Sequence, residues 1–317
     1  MTAPVMEARP ARRAEAVPML AARGLGKRFA DVVAADEIDL DAYRGEILAI
    51  LGENGAGKST LMKMLYGYYQ PDAGHLEIDG SPVRFTSPAE ARAAGVGMVF
   101  QNFTLIPALS VVENVALVQQ GRGKGSAPRA QEVAAVEGET HGSRSGGLRL
   151  DRKGLARRIS MLSDRYGLEV RPNAIVRDLS AGERQRAEIL KVLASGARIL
   201  ILDEPTSVLA PHEVDSLLDV LRHLRDDGYT ILLITHKMRE VFACADQVAV
   251  LRRGKAIGGG PIAEFTPESL LKMMLGEREN QTAPVISPPA AAQGPGIRIE
   301  GVTTLGQDGR SALRGVS

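Results

Sequence analysis

The sequence has no tryptophan, one cysteine, and aromatic residues at only 4%. A single thiol, Cys244, cannot close an internal disulfide or build a cysteine-based zinc site, and such a chain suits a reducing compartment. No apolar run approaches the roughly 20 residues that a membrane-spanning helix requires. The first residues, Met1 to Pro18, carry Arg9, Arg12 and Arg13 but lack the apolar stretch of a secretory signal. Neither charge is in excess, since 39 Lys and Arg face 38 Asp and Glu. That balance gives no broad basic field for nucleic acid and no acidic-tail character. What the chain has is length and apolar content. Its 317 residues, 44% of them hydrophobic, allow about two domains and exclude wholesale disorder, collagen and coiled coil. Together these features describe a globular, cytosolic chain that reaches a membrane only through another protein.

Composition shifts at three places. Residues 1–18, rich in Ala, Arg and Pro, read as a disordered extension. The stretch from about Gln119 to Gly154, with GRGKGSAPRAQ and GETHGSRSGG, is rich in Gly, Ser and Arg and reads as a flexible insertion. Residues 278–296, mostly QTAPVISPPAAAQGPG, have the Pro and Ala content of an interdomain linker. A domain over 19–277 follows from these boundaries, and 297–317 reads as the incomplete start of a second. There IRIEGV (297–302) echoes LAARGL (20–25) at an offset of 277, and ALRGVS (312–317) echoes AADEID (34–39) at 278, in hydrophobic placement more than identity. Over so few positions chance similarity is a fair alternative. The location directly after a linker favours a repeat, and about twenty residues cannot bury a core of their own.

Between those boundaries short apolar strands alternate with amphipathic helices. EILAIL (46–51) and VGMVF (96–100) read as buried strands, and Lys58 to Tyr68 as a helix. ILIL (199–202) and ILLIT (231–235) are continuous apolar runs, as expected where both faces of a parallel sheet are covered. A helix between them sets Val214, Leu217, Leu218, Leu221 and Leu224 on one face and stops at Gly228. The predicted class is α/β, layered around a parallel sheet.

GENGAGKST, Gly52 to Thr60, fits G-x-x-x-x-G-K-[ST] and lies between a strand and a helix, where a phosphate-binding loop must be. Gly52, Gly55 and Gly57 let the backbone fold round an anion without Cβ clashes. The freed N–H groups and the helix N-terminus then point at the phosphates. Lys58 supplies a point charge and the Ser59 hydroxyl an oxygen ligand for Mg²⁺. A second carboxylate centre is needed, and ILILDEPTS offers Asp203 for the metal and Glu204 to orient the attacking water. Taken alone, a strand ending in acidic residues is an ordinary feature. LSAGERQR (179–186) places Ser180 as an N-cap and Gly182 where close approach is possible, so this helix start can also receive an anion. Alone it is an ordinary capped helix.

A phosphate loop, then LS-x-G-E, then DEPTS, together resemble the ATP-binding subunit of an ABC transporter over roughly Met19 to Gly276. Gln101 after a strand resembles that family's Q-loop, and His236 after 231–235 its switch histidine. Phe29, ahead of Gly52, stands where the family places an adenine-stacking aromatic; the alternative is a side chain buried under the first strand. The resemblance implies a P-loop NTPase of ABC type, with an N-terminal antiparallel β subdomain, a parallel-sheet core and a helical subdomain. It implies that ATP is held by Phe29, by Gly52, Asn54, Gly55, Gly57, Lys58, Ser59 and Thr60, and by Ser180 and Gly182. Mg²⁺ is then held by Ser59, Asp203 and Gln101, with Glu204, His236 and Gln101 attending hydrolysis.

NGAGKSTLMKMLYGYYQPDAG and SPAEARAAGVGMVFQ look most like the importers of simple sugars and nucleosides, whose subunits carry two ATP-binding domains. That resemblance implies membrane permease subunits as partners and, indirectly, an extracytoplasmic solute-binding protein. It also implies a second ATP-binding domain, from a homodimer or a C-terminal half, and a peripheral place on the cytoplasmic side of the cell membrane. One departure is Ala210, where the family usually has Asp, which bears on communication between sites more than on hydrolysis. Two alternatives stand beside the importer: a soluble ABC ATPase of DNA repair or translation, and a nucleotide-binding fragment with little turnover. The Gly/Ser-rich insert lacks sustained heptads, the linker is Pro/Ala rather than charged and helical, and the charge is balanced. All three argue against nucleic acid.

Overall fold

The computed structural model describes residues 16–120, 151–276, 302–305 and 311–316. They fall into two units, divided after Gly276. The first unit runs β1 (Leu20–Phe29), β2 (Val32–Ala42), β3 (Glu46–Leu51), α1 (Lys58–Leu65), β4 (Ala73–Ile78), β5 (Ser81–Val83), α2 (Pro88–Ala93), β6 (Val96–Val99) and α3 (Val111–Gln120). It continues with α4 (Arg152–Tyr166), α5 (Ala181–Ala194), β7 (Ile199–Asp203), α6 (Pro211–Asp226), β8 (Thr230–Ile234), α7 (Met238–Cys244), β9 (Gln247–Arg252), β10 (Lys255–Pro261) and α8 (Pro267–Leu275).

These strands form two sheets. One is antiparallel, in the order β2-β1-β4-β5. The other has the order β10-β9-β3-β8-β7-β6, with β9, β3, β8, β7 and β6 parallel and β10 antiparallel at one edge. Alternation within the apolar runs explains how this second sheet is covered on both faces. Ile47, Ala49 and Leu51 of β3, Leu200 and Leu202 of β7, and Ile231 and Leu233 of β8 join one core, together with Val115, Ile189 and Leu221 from α3, α5 and α6. Leu48 and Ile50, Ile199 and Ile201, and Leu232 and Ile234 join the other, with Leu61 and Leu65 of α1 and Leu20 and Ile38 of the antiparallel sheet. A fully buried Leu or Ile contributes about 1.5–3 kcal/mol, against about 0–1 kcal/mol for a surface ion pair. Burial is therefore what holds the sheet beneath the site. Helices α3, α4 and α5 pack on one another as a helical part, completing the three-part architecture that the resemblance implies.

Strands β6, β7 and β8 differ from expectation by one residue at their ends, and larger differences occur at α1 and around the expected insertion. Helix α1 ends at Leu65 rather than Tyr68, because the chain turns left-handed at Gly67 with φ 77°. The insertion is narrower than 119–154: Gln119 and Gln120 complete α3, and Asp151 caps α4 by accepting from the Gly154 amide at 2.8 Å. Residues 121–150 lie outside the described residues, as do 1–15 and the linker. Residues 16–18 carry no helix or strand.

The second unit contains β11 (Val302–Leu305) paired antiparallel with β12 (Ser311–Val316). The pairs are Val302 with Val316, Thr304 with Leu313, and Leu305 with Ser311. Shifted back by 277 on β11 and 278 on β12, they become Leu25 with Ile38, Lys27 with Ala35, and Arg28 with Val33, which are pairs of β1 and β2. The irregular steps in register fall between the same pairs in both hairpins.

Candidate active site

Parallel neighbours present their C-terminal ends on one edge, and that edge is where open α/β sheets bind ligands. Here β3, β8, β7 and β6 are consecutive, with Ile50 beside Ile234, Ile234 beside Asp203, and Leu202 beside Val99. The segments leaving these ends are the phosphate loop after β3, Glu204 after β7, His236 after β8 and Gln101 after β6. Residues far apart in the chain thus meet for a topological reason.

The loop from Gly52 to Gly57 wraps the start of α1. Lys58 Nζ donates to the carbonyls of Gly52 at 2.6 Å and Glu53 at 2.9 Å, which turns its charge back into the loop. Gly57, the N-cap of α1, has φ 102°, and a Cβ there would lie 2.5 Å from the Ala34 carbonyl oxygen. Asn54, Gly55 and Ser59 are exposed, and Thr60 is half-buried. Lys58 is held below the usual lysine range by burial, which the carboxylates of Glu204 and Asp203 oppose. The carboxyl of Asp203 is raised, first by burial and then by Glu204, while Lys58 and Lys63 pull it down.

Glu204 is held from both sides. Its Oε2 accepts from Gln101 Nε2 at 3.2 Å, and its Oε1 lies 2.9 Å from His236 Nδ1. Its backbone takes φ 44°, rare for a residue with a side chain. The Glu204 amide donates to Ile234 O at 2.8 Å, and the Ser207 amide donates to Glu204 O at 3.1 Å. Behind it lies a second polar layer that the sequence reading does not single out: Thr206, Thr235, Lys237 and Glu240, joined by hydrogen bonds. A glutamate four residues after His236 is the signal in the sequence, but only the fold shows that it is buried.

Phe29 stands at the end of β1, 40% exposed, with its ring edge-on to Tyr69 at 5.1 Å between centroids. It is therefore not buried under its strand. Ser180 caps α5: its hydroxyl accepts from the Glu183 amide at 3.2 Å, and Glu183 accepts from the Ser180 amide at 2.8 Å. The space left by the missing side chain of Gly182 is taken by the Glu213 carboxylate, which also accepts from the Ala210 amide at 3.0 Å. Close approach at Gly182 is thus used by α6 of the same chain.

Among the described residues no group of three or more His, Cys, Asp or Glu side chains could hold a metal. Ser59 and Asp203 offer hard oxygen donors of the kind Mg²⁺ takes when substrate phosphates complete its shell. A buried lysine and a raised aspartate each gain from a ligand of opposite charge, so the edge fits an anion bound together with a cation.

A sequence-family model described as ABC transporter matches residues 35–207, more than half of the chain. The chain belongs to the ABC transporter family. It is 41% identical over 274 residues to the nucleoside import ATP-binding protein NupA of Lactococcus lactis, covering 86% of this chain and 49% of that protein. It is 44% identical over 264 residues to the glucose import ATP-binding protein TsgD13 of Haloferax volcanii, covering 82% and 48%. The guanosine import ATP-binding protein NupO of Bacillus subtilis is 38% identical over 292 residues, covering 92% and 52%. The chain therefore spans about half the length of these relatives. Among solved structures, cbiO1 from Clostridium perfringens, part of an ABC transporter complex, superposes with a TM-score of 0.63 at 27% identity over 80% of this chain and 93% of that one. A nucleotide-free ATP-binding cassette from an ABC transporter reaches 0.65 at 21% identity over 82% and 99%, a likeness of fold.

Proposed function

We propose that the chain is the ATP-binding and ATP-hydrolysing part of an importer for a simple sugar or nucleoside. The observation that carries this reading is the convergence of Lys58, Asp203, Glu204, Gln101 and His236 on one sheet edge. Relatives whose names denote nucleoside, glucose and ribose import support the solute class. In this reading the amides of the Gly52–Gly57 loop and Lys58 bind the β- and γ-phosphates, and exposed Phe29 stacks on the base. Mg²⁺ would supply charge neutralisation at the phosphates, and the Ser59 hydroxyl, the Asp203 carboxylate and Gln101 would hold it. Glu204 accepts a hydrogen bond from the attacking water. Gln101 and His236, by holding its two oxygens, fix the direction it faces.

Ser180, with the backbone amide of Gly182, is read as serving the nucleotide of a second ATP-binding domain facing this one head to tail, since Glu213 takes the side-chain space at Gly182. The matching registers of β11–β12 and β1–β2 support the start of another such domain after the linker.

A permease is the proposed membrane partner, and the helical part offers a place for it. A cavity of about 290 Å³ between β6, α3 and α5 is lined by Tyr68, Phe100, Ile106 and Leu117, and three of these are exposed apolar side chains: Tyr68, Ile106 and Leu117. Phe100 directly precedes Gln101, so a partner seated there adjoins the Gln101–Glu204 bond. No described helix is long and apolar enough to cross a membrane; attachment through a permease on the cytoplasmic side is part of the proposal. The chain should hydrolyse MgATP, and it should pellet with membranes containing its permease but not with ribosomes or DNA. Leu117→Glu should abolish pelleting and leave nucleotide binding intact. Absence of hydrolysis with and without permease membranes overturns the reading, and binding to ribosomes or DNA favours the soluble ATPase instead.

A further inference from the structure

We propose that Glu240 is a positioning residue for hydrolysis, a buried clamp that holds the loop carrying Glu204 in register with the loop carrying His236. This rests on the site reading above and adds a residue to it. Glu240 lies on α7 and is only 2% exposed, although it carries a carboxylate. One oxygen, Oε1, accepts from the hydroxyl of Thr206, two residues after Glu204. The other, Oε2, accepts from the hydroxyl of Thr235 at 3.0 Å, one residue before His236. Both threonines are 1% exposed. Lys237 closes the group: its Nζ lies 3.3 Å from Glu240 Oε1 and donates to Thr206 Oγ1 at 3.0 Å and Thr206 O at 3.1 Å. Its backbone amide donates to Thr235 Oγ1 at 3.1 Å.

Packing alone does not call for this arrangement. Val241 and Cys244 on the same helix already fill the core with apolar surface, and a buried carboxylate is costly unless fully partnered. Here every partner belongs to one of the two loops. The loops need holding, because Glu204 keeps its left-handed backbone only if its surroundings over-determine it. The 2.9 Å approach of Glu204 to His236 also spans the gap between them. A displacement of about 1 Å in a catalytic group can cost about 10²-fold in rate, so a clamp one or two residues from each side chain acts on turnover more than on binding.

The test is Glu240→Gln in the whole chain, with kcat, MgATP affinity and melting temperature measured together. Glutamine keeps one acceptor oxygen, but its amide nitrogen only donates, so one threonine hydroxyl loses its acceptor and Lys237 its counter-charge. The expected result is nucleotide affinity within about twofold of wild type and kcat lower by about tenfold or more. A folded variant with wild-type kcat overturns the proposal, as does a fall in kcat that only follows the folded fraction. If Glu240→Gln does not fold, Thr235→Val removes one hydroxyl of similar shape and should show the same split, and wild-type kcat there overturns the proposal. Glu204→Gln, assayed in parallel, separates the two levels. If it is inactive while Glu240→Gln is fully active, only the clamp fails; if it is active, the site reading itself fails.

Discussion

Replacing Gly57 by alanine tests whether the shape of the phosphate loop is what binds. With φ at 102°, alanine at this position costs on the order of 1–3 kcal/mol in backbone strain. Its Cβ would also stand 2.5 Å from the Ala34 carbonyl oxygen. That atom belongs to β2 and cannot swing aside as a side chain would. Gly55 supplies the control, since its φ is 83° but nothing lies within 4 Å of its Cβ position. Gly55→Ala therefore carries the conformational cost alone, and Gly57→Ala adds a forced shift of the loop against β2. One factor of ten in affinity corresponds to about 1.4 kcal/mol. Gly55→Ala should weaken binding by no more than the about 5- to 150-fold that 1–3 kcal/mol represents, and Gly57→Ala should be weaker than Gly55→Ala by about another tenfold and melt at a lower temperature. Titration with a fluorescent ATP analogue at fixed Mg²⁺, with thermal melts on the same samples, reads both effects. Equal affinities for the two variants refute the argument, because the contact with β2 would then place no constraint on the loop.

Lys58→Ala should weaken nucleotide binding itself, because it removes the cation that now donates to Gly52 and Glu53; unchanged affinity in equilibrium binding contradicts this. Phe29→Ala should weaken ATP and GTP alike, by the about 1–3 kcal/mol that aromatic–base stacking supplies, whereas strong rejection of GTP by the wild type points to polar reading of the base. Cys244 is buried and its thiol is pushed up to about 12 by burial. The native protein should therefore resist alkylation at pH 8 and react only once unfolded, and rapid labelling of the native state contradicts the packing.

Much of this was legible in the residues because local chemistry and topology agree. Runs such as EILAIL and ILIL, too apolar for a half-solvated strand, imply a parallel sheet covered on both faces, and the structure divides each run between two cores. The phosphate loop was legible for a similar reason, since its glycines, lysine and hydroxyls have few other uses in that order. Helix ends were less legible: α3 and α4 extend into polar stretches at Gln120 and Asp151, where capping and tertiary contact outweigh composition. Gly182 read as a place for an anion, and its space is filled by Glu213, a residue 31 positions along on another helix. Glu240 shows the same limit. A glutamate on a short amphipathic helix reads as a surface residue, and only the approach of two loops from different strands makes it a buried acceptor.

In the proposed ATP-hydrolysing site, Glu204, held by Gln101 and His236, is the residue that orients the attacking water. Glutamine at that position keeps the size of the side chain and removes the carboxylate's ability to accept from water at both oxygens. The direct measurement is steady-state MgATP hydrolysis by Glu204→Gln beside wild type, with MgATP affinity determined on both. Affinity should be unchanged and turnover lost. Turnover equal to that of wild type contradicts this role for Glu204.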